Sequence, residues 1–220
     1  MIKSLLFKEW LKTKWTFISL SGISILAILY IFLDISHGFE LSGASAFWEY
    51  AIYKKYPLGY DLLYLPLIIG IVMAIVQFYP EINNGRLKLT LHLPVKENKI
   101  LLSMVILIAF MLAALFIFNL LLFAFLSNIY FPVEVTITNI ILLIPCYIAG
   151  LLGYFATATV MVEPVWNRRI PQIIFFGGFI SFLLNVYSFT SGLLLFFIII
   201  TMLSTLAILL SGYYYKRGIK

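Results

Sequence analysis

ILLSMVILIAFMLAALFIFNLLLFAFL, residues 100–126, is a long, predominantly apolar run without a single charged residue. It exceeds the roughly 20 apolar residues that an α-helix needs to cross a bilayer. One charge near the middle of such a run costs about 2.5–3.5 kcal/mol, whereas each Leu or Ile favours insertion by about 0.3–0.6 kcal/mol. The run is therefore predicted to be a transmembrane helix.

Five further apolar runs approach or exceed the same length, and none has an ionisable residue near its middle. Of the 220 residues, 63% are hydrophobic and 11% are charged, whereas soluble domains are about 45–50% apolar and about 25% charged. The sequence thus predicts an all-α membrane protein with one transmembrane domain over residues 1–220. Its six transmembrane helices are expected at about residues 15–33, 62–79, 100–126, 137–162, 170–189 and 192–213.

The loops between these spans differ strongly in positive charge. Thirteen of the 15 Lys and Arg residues fall on one side, and only Lys54 and Lys55 fall on the other. Because cytoplasmic loops retain Lys and Arg, both termini are predicted to be cytoplasmic. The net charge of +6 is then explained by the orientation of the chain in the membrane. The positive charges are divided among short membrane-flanking segments, which argues against nucleic-acid binding.

The first residues, MIKSLLFKEWLKTK, predict an amphipathic helix before the first span. Such a helix is expected to lie flat on the inner leaflet. It is either an interfacial anchor alone or also a contact for a cytoplasmic partner. Its apolar face consists of Ile2, Leu5, Leu6 and Trp10.

The link between the second and third spans is YPEINNGRLKLTLHLPVKENK, residues 79–99. Its alternating Leu residues form a strand pattern, but a lone strand would leave both edges unpaired. As a helix, the segment places Ile82, Leu89 and Leu93 on one side, and it places Leu87 and Leu91 on nearly the opposite side. Pro80 suits a first helical turn and Pro94 ends a helix, so a helix with two apolar contacts is predicted, one of them open to a separate protein.

Small residues recur at roughly helical spacing in the fourth predicted span. Gly150, Gly153 and Thr157 are the central members of this stripe, which lets another helix approach closely. The stripe serves either packing within the chain or a seam between two copies.

Several other classes of protein are disfavoured by what the sequence lacks. No ionisable residue lies deep in a predicted span, as a proton- or sodium-coupled carrier needs. No Gly is followed by Lys, so there is no phosphate-binding P-loop. His37 and His92 fall on opposite sides and cannot share a metal, and the single Cys146 excludes an intrachain disulfide. A separate ATPase partner would supply the energy for transport, which this sequence has no site to provide.

The loop also carries a short motif, a Glu, then a Gly, then Leu-Pro-Val before the next span. These positions are Glu81, Gly85 and Leu93-Pro94-Val95. In this motif, and in span architecture over nearly the whole chain, the sequence resembles the membrane subunit of ABC type-2 exporters. This permease family works with a separate ATP-binding cassette subunit.

The resemblance implies that residues 82–93 form a coupling helix that docks into a groove on the ATPase, beside the N-terminal helix. The residues expected to couple to the ATPase are Glu81, Ile82, Gly85, Leu89, Leu93 and Pro94. It also implies that the chain is no enzyme and binds no cofactor, that ATP is bound by the partner subunit, and that a second permease copy or paralogue completes the transporter. The expected location is the bacterial cytoplasmic membrane.

The polar residues within the spans are too sparse to line a wide hydrophilic channel. We therefore expect export of a hydrophobic or amphipathic substrate, such as a peptide, drug or lipid-like molecule. The alternative is a non-transporting membrane scaffold or sensor that holds a cytoplasmic partner through the same loop.

Overall fold

The computed structural model describes residues 2–43, 62–91, 97–185 and 191–217. Within these ranges the chain forms seven α-helices and no strand, which confirms the all-α prediction. The helices are α1 (Ile2–Ser42), α2 (Leu65–Asn83), α3 (Arg86–Leu91), α4 (Glu97–Tyr130), α5 (Val133–Val162), α6 (Trp166–Asn185) and α7 (Ser191–Arg217).

Five of the described helices are long and apolar enough to cross a membrane, namely α1, α2, α4, α5 and α7. The fifth predicted span corresponds to α6, which is less apolar over its described length. Its first turn carries Arg168 and Arg169, and Pro171 and Gln172 follow at once. The number of six transmembrane helices therefore stays a prediction. Five of the six predicted spans correspond to described helices that are long and apolar enough to cross a membrane.

The boundary predicted between the N-terminal amphipathic helix and the first span is absent, because α1 runs without a break from Ile2 to Ser42. No Gly or Pro interrupts it before Gly22. The predicted apolar face is not the face that packs most deeply. Leu5 and Leu6 are half-buried and Trp10 is exposed, whereas Glu9 and Thr13 are fully buried.

The closest helix pair is α2 with α5, and it is closest where glycines remove the side chains. A Cβ added to Gly70 would collide with the carbonyl oxygen of Gly150. A Cβ added to Gly150 would lie 2.6 Å from the carbonyl oxygen of Pro66, and one added to Gly153 would strike Leu67. The stripe on α5 is therefore occupied by α2 of the same chain, with Thr157 half-buried beside it.

The helices run up and down, so their charged turns collect at one end of the bundle. At this basic end, α1 contacts α2 through Lys12 and Glu81, and α7 contacts α4 through Lys216 and Glu97. At the opposite end, Phe39 of α1 packs on Phe131, which directly follows α4. Lys54 and Lys55, the two lysines predicted for the other side, lie outside the described residues, so the topology stays a prediction.

The α2–α5 contact predicts a large cost for adding one methyl group. In Gly150→Ala, the new Cβ meets backbone rather than a side chain that could move, so the free energy of unfolding should fall by about 1–3 kcal/mol. Gly178→Ala is the matched control, because nothing lies within 4 Å of its added Cβ. It should be neutral or slightly stabilising. Equilibrium unfolding in detergent micelles measures both, and equal stability of the two variants would contradict the packing described.

Candidate functional site

Glu81, in the last turn of α2, turns its side chain towards α1, and its expected role in coupling to an ATPase stays a prediction. Only 1% of the side chain is exposed. Its Oε1 atom lies 2.9 Å from the Lys8 Nζ atom and 3.3 Å from the Lys12 Nζ atom. Lys8 and Lys12 are four residues apart on α1 and so project from the same side of the helix. The other carboxylate oxygen of Glu81 is buried and has no hydrogen-bond partner in the described part of the chain.

Glu9 is the second buried carboxylate, and it was not among the residues predicted from the sequence. The Lys12 Nζ atom donates to Glu9 Oε1 at 3.0 Å and lies 2.8 Å from Oε2. Lys12 thus stands between two carboxylates, with 18% of its side chain exposed. We call Lys8, Glu9, Lys12 and Glu81 the ion cluster. Its two positive and two negative side chains balance, and pairing of this kind offsets the several kcal/mol that burying each ion costs.

Gln77 extends the ion cluster towards the middle of the bundle. Its Nε2 atom donates to Glu9 Oε2 at 3.2 Å and to the carbonyl oxygen of Met104 on α4 at 2.9 Å. The hydroxyl of Tyr154 on α5, fully buried, donates to Gln77 Oε1 at 2.6 Å. One connected set of polar contacts therefore joins α1, α2, α4 and α5. The hydrogen bond to Glu9 has a charged acceptor, and such bonds are roughly twice as strong as neutral ones.

This arrangement corrects part of the sequence interpretation. Glu9, Lys12 and Glu81 were placed outside the predicted spans, and burial of their side chains was not predicted. The structure buries both carboxylates completely or nearly so, at the basic end. The sequence feature that could have predicted this burial is the spacing of Lys8, Glu9 and Lys12. It places one acidic residue between two basic residues that are one helical turn apart. Gln77 was noted only as a sparse polar group in a span, and Tyr154 not at all.

The chain leaves the ion cluster through a turn at Gly85. Gly85 has φ +64°, a left-handed conformation that glycine adopts without strain, and its N–H donates to the carbonyl oxygen of Ile82. The predicted single helix over residues 82–93 is therefore divided. Pro80 and Ile82 belong to the end of α2, and α3 begins only at Arg86. Leu93 and Pro94 lie outside the described residues.

The short helix α3 has two different sides. Leu87 is completely buried in the hydrophobic core, whereas Leu89 is 72% exposed. Arg86 and Lys88 are exposed as well. The sequence predicted that a helix here needs two apolar contacts, and the structure supplies one of them, at Leu87. The other, at Leu89, is open. Within the described residues, no three His, Cys, Asp or Glu side chains come together as metal ligands.

The burial of Glu81 predicts that its charge matters more for stability than that of Glu97. Glu81→Gln leaves Lys8 and Lys12 without their shared carboxylate, so the free energy of unfolding should fall by about 3 kcal/mol. Glu97→Gln removes the same charge from the half-exposed pair with Lys216 and should cost about 0–1 kcal/mol. Unfolding both variants in the same detergent provides the comparison. Equal losses would mean that the ion cluster contributes no more than a surface pair.

Comparison with known proteins identifies the family. A family model described as an ABC-2 family transporter protein matches residues 5–183. The matched range includes the ion cluster, Gln77, Tyr154, the Gly85 turn and α3. No curated protein and no solved structure matches the chain. Since the match spans most of the 220 residues, the chain belongs to the ABC-2 family of transporter proteins.

Proposed function

We propose that this chain is the membrane permease subunit of an ABC exporter, driven by a separate ATP-binding cassette subunit that docks on residues 80–94. Both termini face the cytoplasm of a bacterium, and a second permease copy or paralogue completes the transporter. ATP binds to the partner, and this chain holds no cofactor. The observation that carries the proposal is α3, with Leu89 exposed beside the ion cluster at the basic end of an ABC-2 family membrane protein.

The two sides of α3 support docking at this element. A six-residue helix is too short to be stable alone, and Leu87 anchors it to the core. Leu89 is then an exposed apolar side chain, preceded in sequence by Arg86 and Lys88 and followed by Thr90. An apolar side chain flanked by cations suits a groove with an apolar floor and acidic rims, and a cytoplasmic protein can supply one.

The ion cluster supports a role for this region in transmitting movement. Only the Gly85 turn separates α3 from the last residues of α2, where Glu81 pairs with Lys8 and Lys12 of α1. A displacement of α3 therefore acts on α1 and α2 together. Through Gln77 the displacement also reaches α4 and α5. This chain of contacts links an ATPase at the basic end to four helices of the bundle.

The polar groups within the bundle support an apolar or amphipathic substrate. Those at its centre are occupied by contacts between helices and do not line an open channel. Gln77 is bonded to three other helices, and Ser24 of α1 donates to Asn119 of α4. Ser127 is bonded to Thr136 near the opposite end. A substrate that passes along such surfaces is hydrophobic or amphipathic, such as a peptide, drug or lipid-like molecule.

Ion-driven transport is less well supported, because Glu9 and Glu81 are each paired with an ammonium group. The alternative is a scaffold or sensor that binds a cytoplasmic protein through α3 without transport. The exposed Leu89 favours both functions equally, and the response of the ATPase to substrate separates them.

The docking proposal predicts a local effect of Leu89→Asp. A buried carboxylate in an apolar groove is costly, so the variant should lose co-purification with its ATP-binding cassette subunit and should abolish the coupled ATPase activity. Leu41→Asp is the matched control, because Leu41 is 74% exposed at the opposite end. It should behave as wild type.

Two results would argue against this docking. Normal ATPase coupling in Leu89→Asp would exclude α3 as the contact. An ATPase that binds but never responds to a transported compound would support the scaffold instead.

The substrate proposal is tested by efflux from cells. Cells that produce the permease with its ATPase should retain less of at least one hydrophobic or amphipathic compound from a panel of peptides, drugs and lipid analogues. Cells with the permease and an ATPase variant unable to hydrolyse ATP are the control. Equal retention of every compound in both strains would count against export of this substrate class.

A further inference from the structure

Three arginines at the basic end are stacked on aromatic rings where α6 begins and α7 ends. The Arg168 Cζ atom lies 4.3 Å from the ring centroid of Tyr214, which joins the two helices. The Arg217 Cζ atom lies 4.1 Å from the ring of Tyr213. The two tyrosine rings meet edge to face at 6.0 Å, so Arg168 and Arg217 belong to one continuous surface.

The neighbouring charges leave these two arginines without an acidic partner. Lys216 is paired with Glu97 at 2.5 Å. The Nε atom of the third stacked arginine, Arg169, donates to the backbone oxygen of Glu163 at 2.7 Å, and its guanidinium stacks on Trp166. Among the described residues, neither Glu97 nor Glu163 forms an ion pair with Arg168 or Arg217. Both arginines are exposed.

A guanidinium stacked on a ring keeps its in-plane N–H groups available. These groups form a planar fork that matches the two oxygens of a phosphate. Stacking also fixes the orientation of the fork, so less conformational freedom is lost when an anion binds. The surface is therefore suited to one or two phosphate groups.

The same surface has an apolar side. Ile170, two residues after Arg168, and Leu210, one turn before Tyr213, are both exposed. Tyr213 and Trp166 are exposed at the ends of their helices, where aromatic side chains of membrane proteins lie at headgroup level. A ligand with a phosphate next to hydrocarbon chains would contact both the cations and the apolar residues, whereas a free phosphate would contact only the cations.

We infer that Arg168 and Arg217, stacked on Tyr214 and Tyr213, bind the headgroup phosphate of an anionic phospholipid. Its acyl chains lie along the exposed apolar residues of α6 and α7. The lipid bridges the start of α6 to the end of α7. This binding is independent of the ATPase and of the transported substrate.

The test measures lipid binding to the full-length chain, purified in detergent and delipidated, by native mass spectrometry. The probes are phosphatidylglycerol, phosphatidylcholine and inorganic phosphate. Phosphatidylglycerol should bind more tightly than phosphatidylcholine. Arg168→Gln and Arg217→Gln should each weaken phosphatidylglycerol about fivefold, the effect of one basic residue near an anionic headgroup. Arg168→Lys keeps the charge but loses the fork, so it should bind phosphatidylglycerol with an intermediate affinity.

Two further variants make the outcome specific, a control at a distant cation and a test of the stacking ring. Lys99→Gln removes one exposed charge from the start of α4 at the same end and should change binding less than twofold. Tyr214→Leu removes the ring without changing the charge and should weaken phosphatidylglycerol about two- to fivefold.

Three results would overturn the inference. One is an effect of Lys99→Gln as large as that of Arg168→Gln, which would indicate diffuse surface charge. Another is equal affinity for the two lipids. The last is displacement of phosphatidylglycerol by inorganic phosphate as effectively as by phosphatidylglycerol itself, which would indicate a site for a free anion.

Discussion

Two carboxylates buried in the bundle share one ammonium group, and this requirement for pairing positions much of the structure around them. A carboxylate in the position of Glu9 or Glu81 costs several kcal/mol unless a cation and further donors reach it. Lys12 supplies the cation to both. Because Lys12 and Glu9 lie on α1 whereas Glu81 lies on α2, the pairing holds the two helices in one register at the basic end.

The contacts away from the ion cluster reinforce this register. Gln77 uses its amide nitrogen for Glu9 and Met104 and its amide oxygen for Tyr154, so a shift of α2 would break bonds to three helices. The glycine contact between α2 and α5 brings the two backbones together without intervening side chains. Packed interiors of this density move as units and do not deform continuously. The four helices α1, α2, α4 and α5 are therefore expected to move as one unit, next to the exposed helix α3.

The sequence predicted the helices well where apolar length alone determines the outcome. Residues 100–126 lie within α4, and residues 137–162 lie within α5. It predicted the packing of charges poorly, because burial of a charge depends on partners from distant parts of the chain. The sequence around Glu9 is typical of an interfacial helix, and the approach of Gln77 and Glu81 from α2 makes it an interior one. The division of residues 82–93 was missed for a similar reason, since burial of Glu81 and Leu87 on different helices requires the break at Gly85.

The two carboxylates differ in how completely they are bonded, and this difference determines where movement can be absorbed. Glu9 accepts from Lys12 on both oxygens and from Gln77, and it is fully buried. Glu81 uses one oxygen for both lysines, and its other oxygen has no partner among the described residues. Lys8, with 44% of its side chain exposed, can exchange this contact for water at small cost. A displacement that enters through α3 would therefore first change the contacts of Glu81, while the bonds of Glu9, Gln77 and Tyr154 keep the helices aligned.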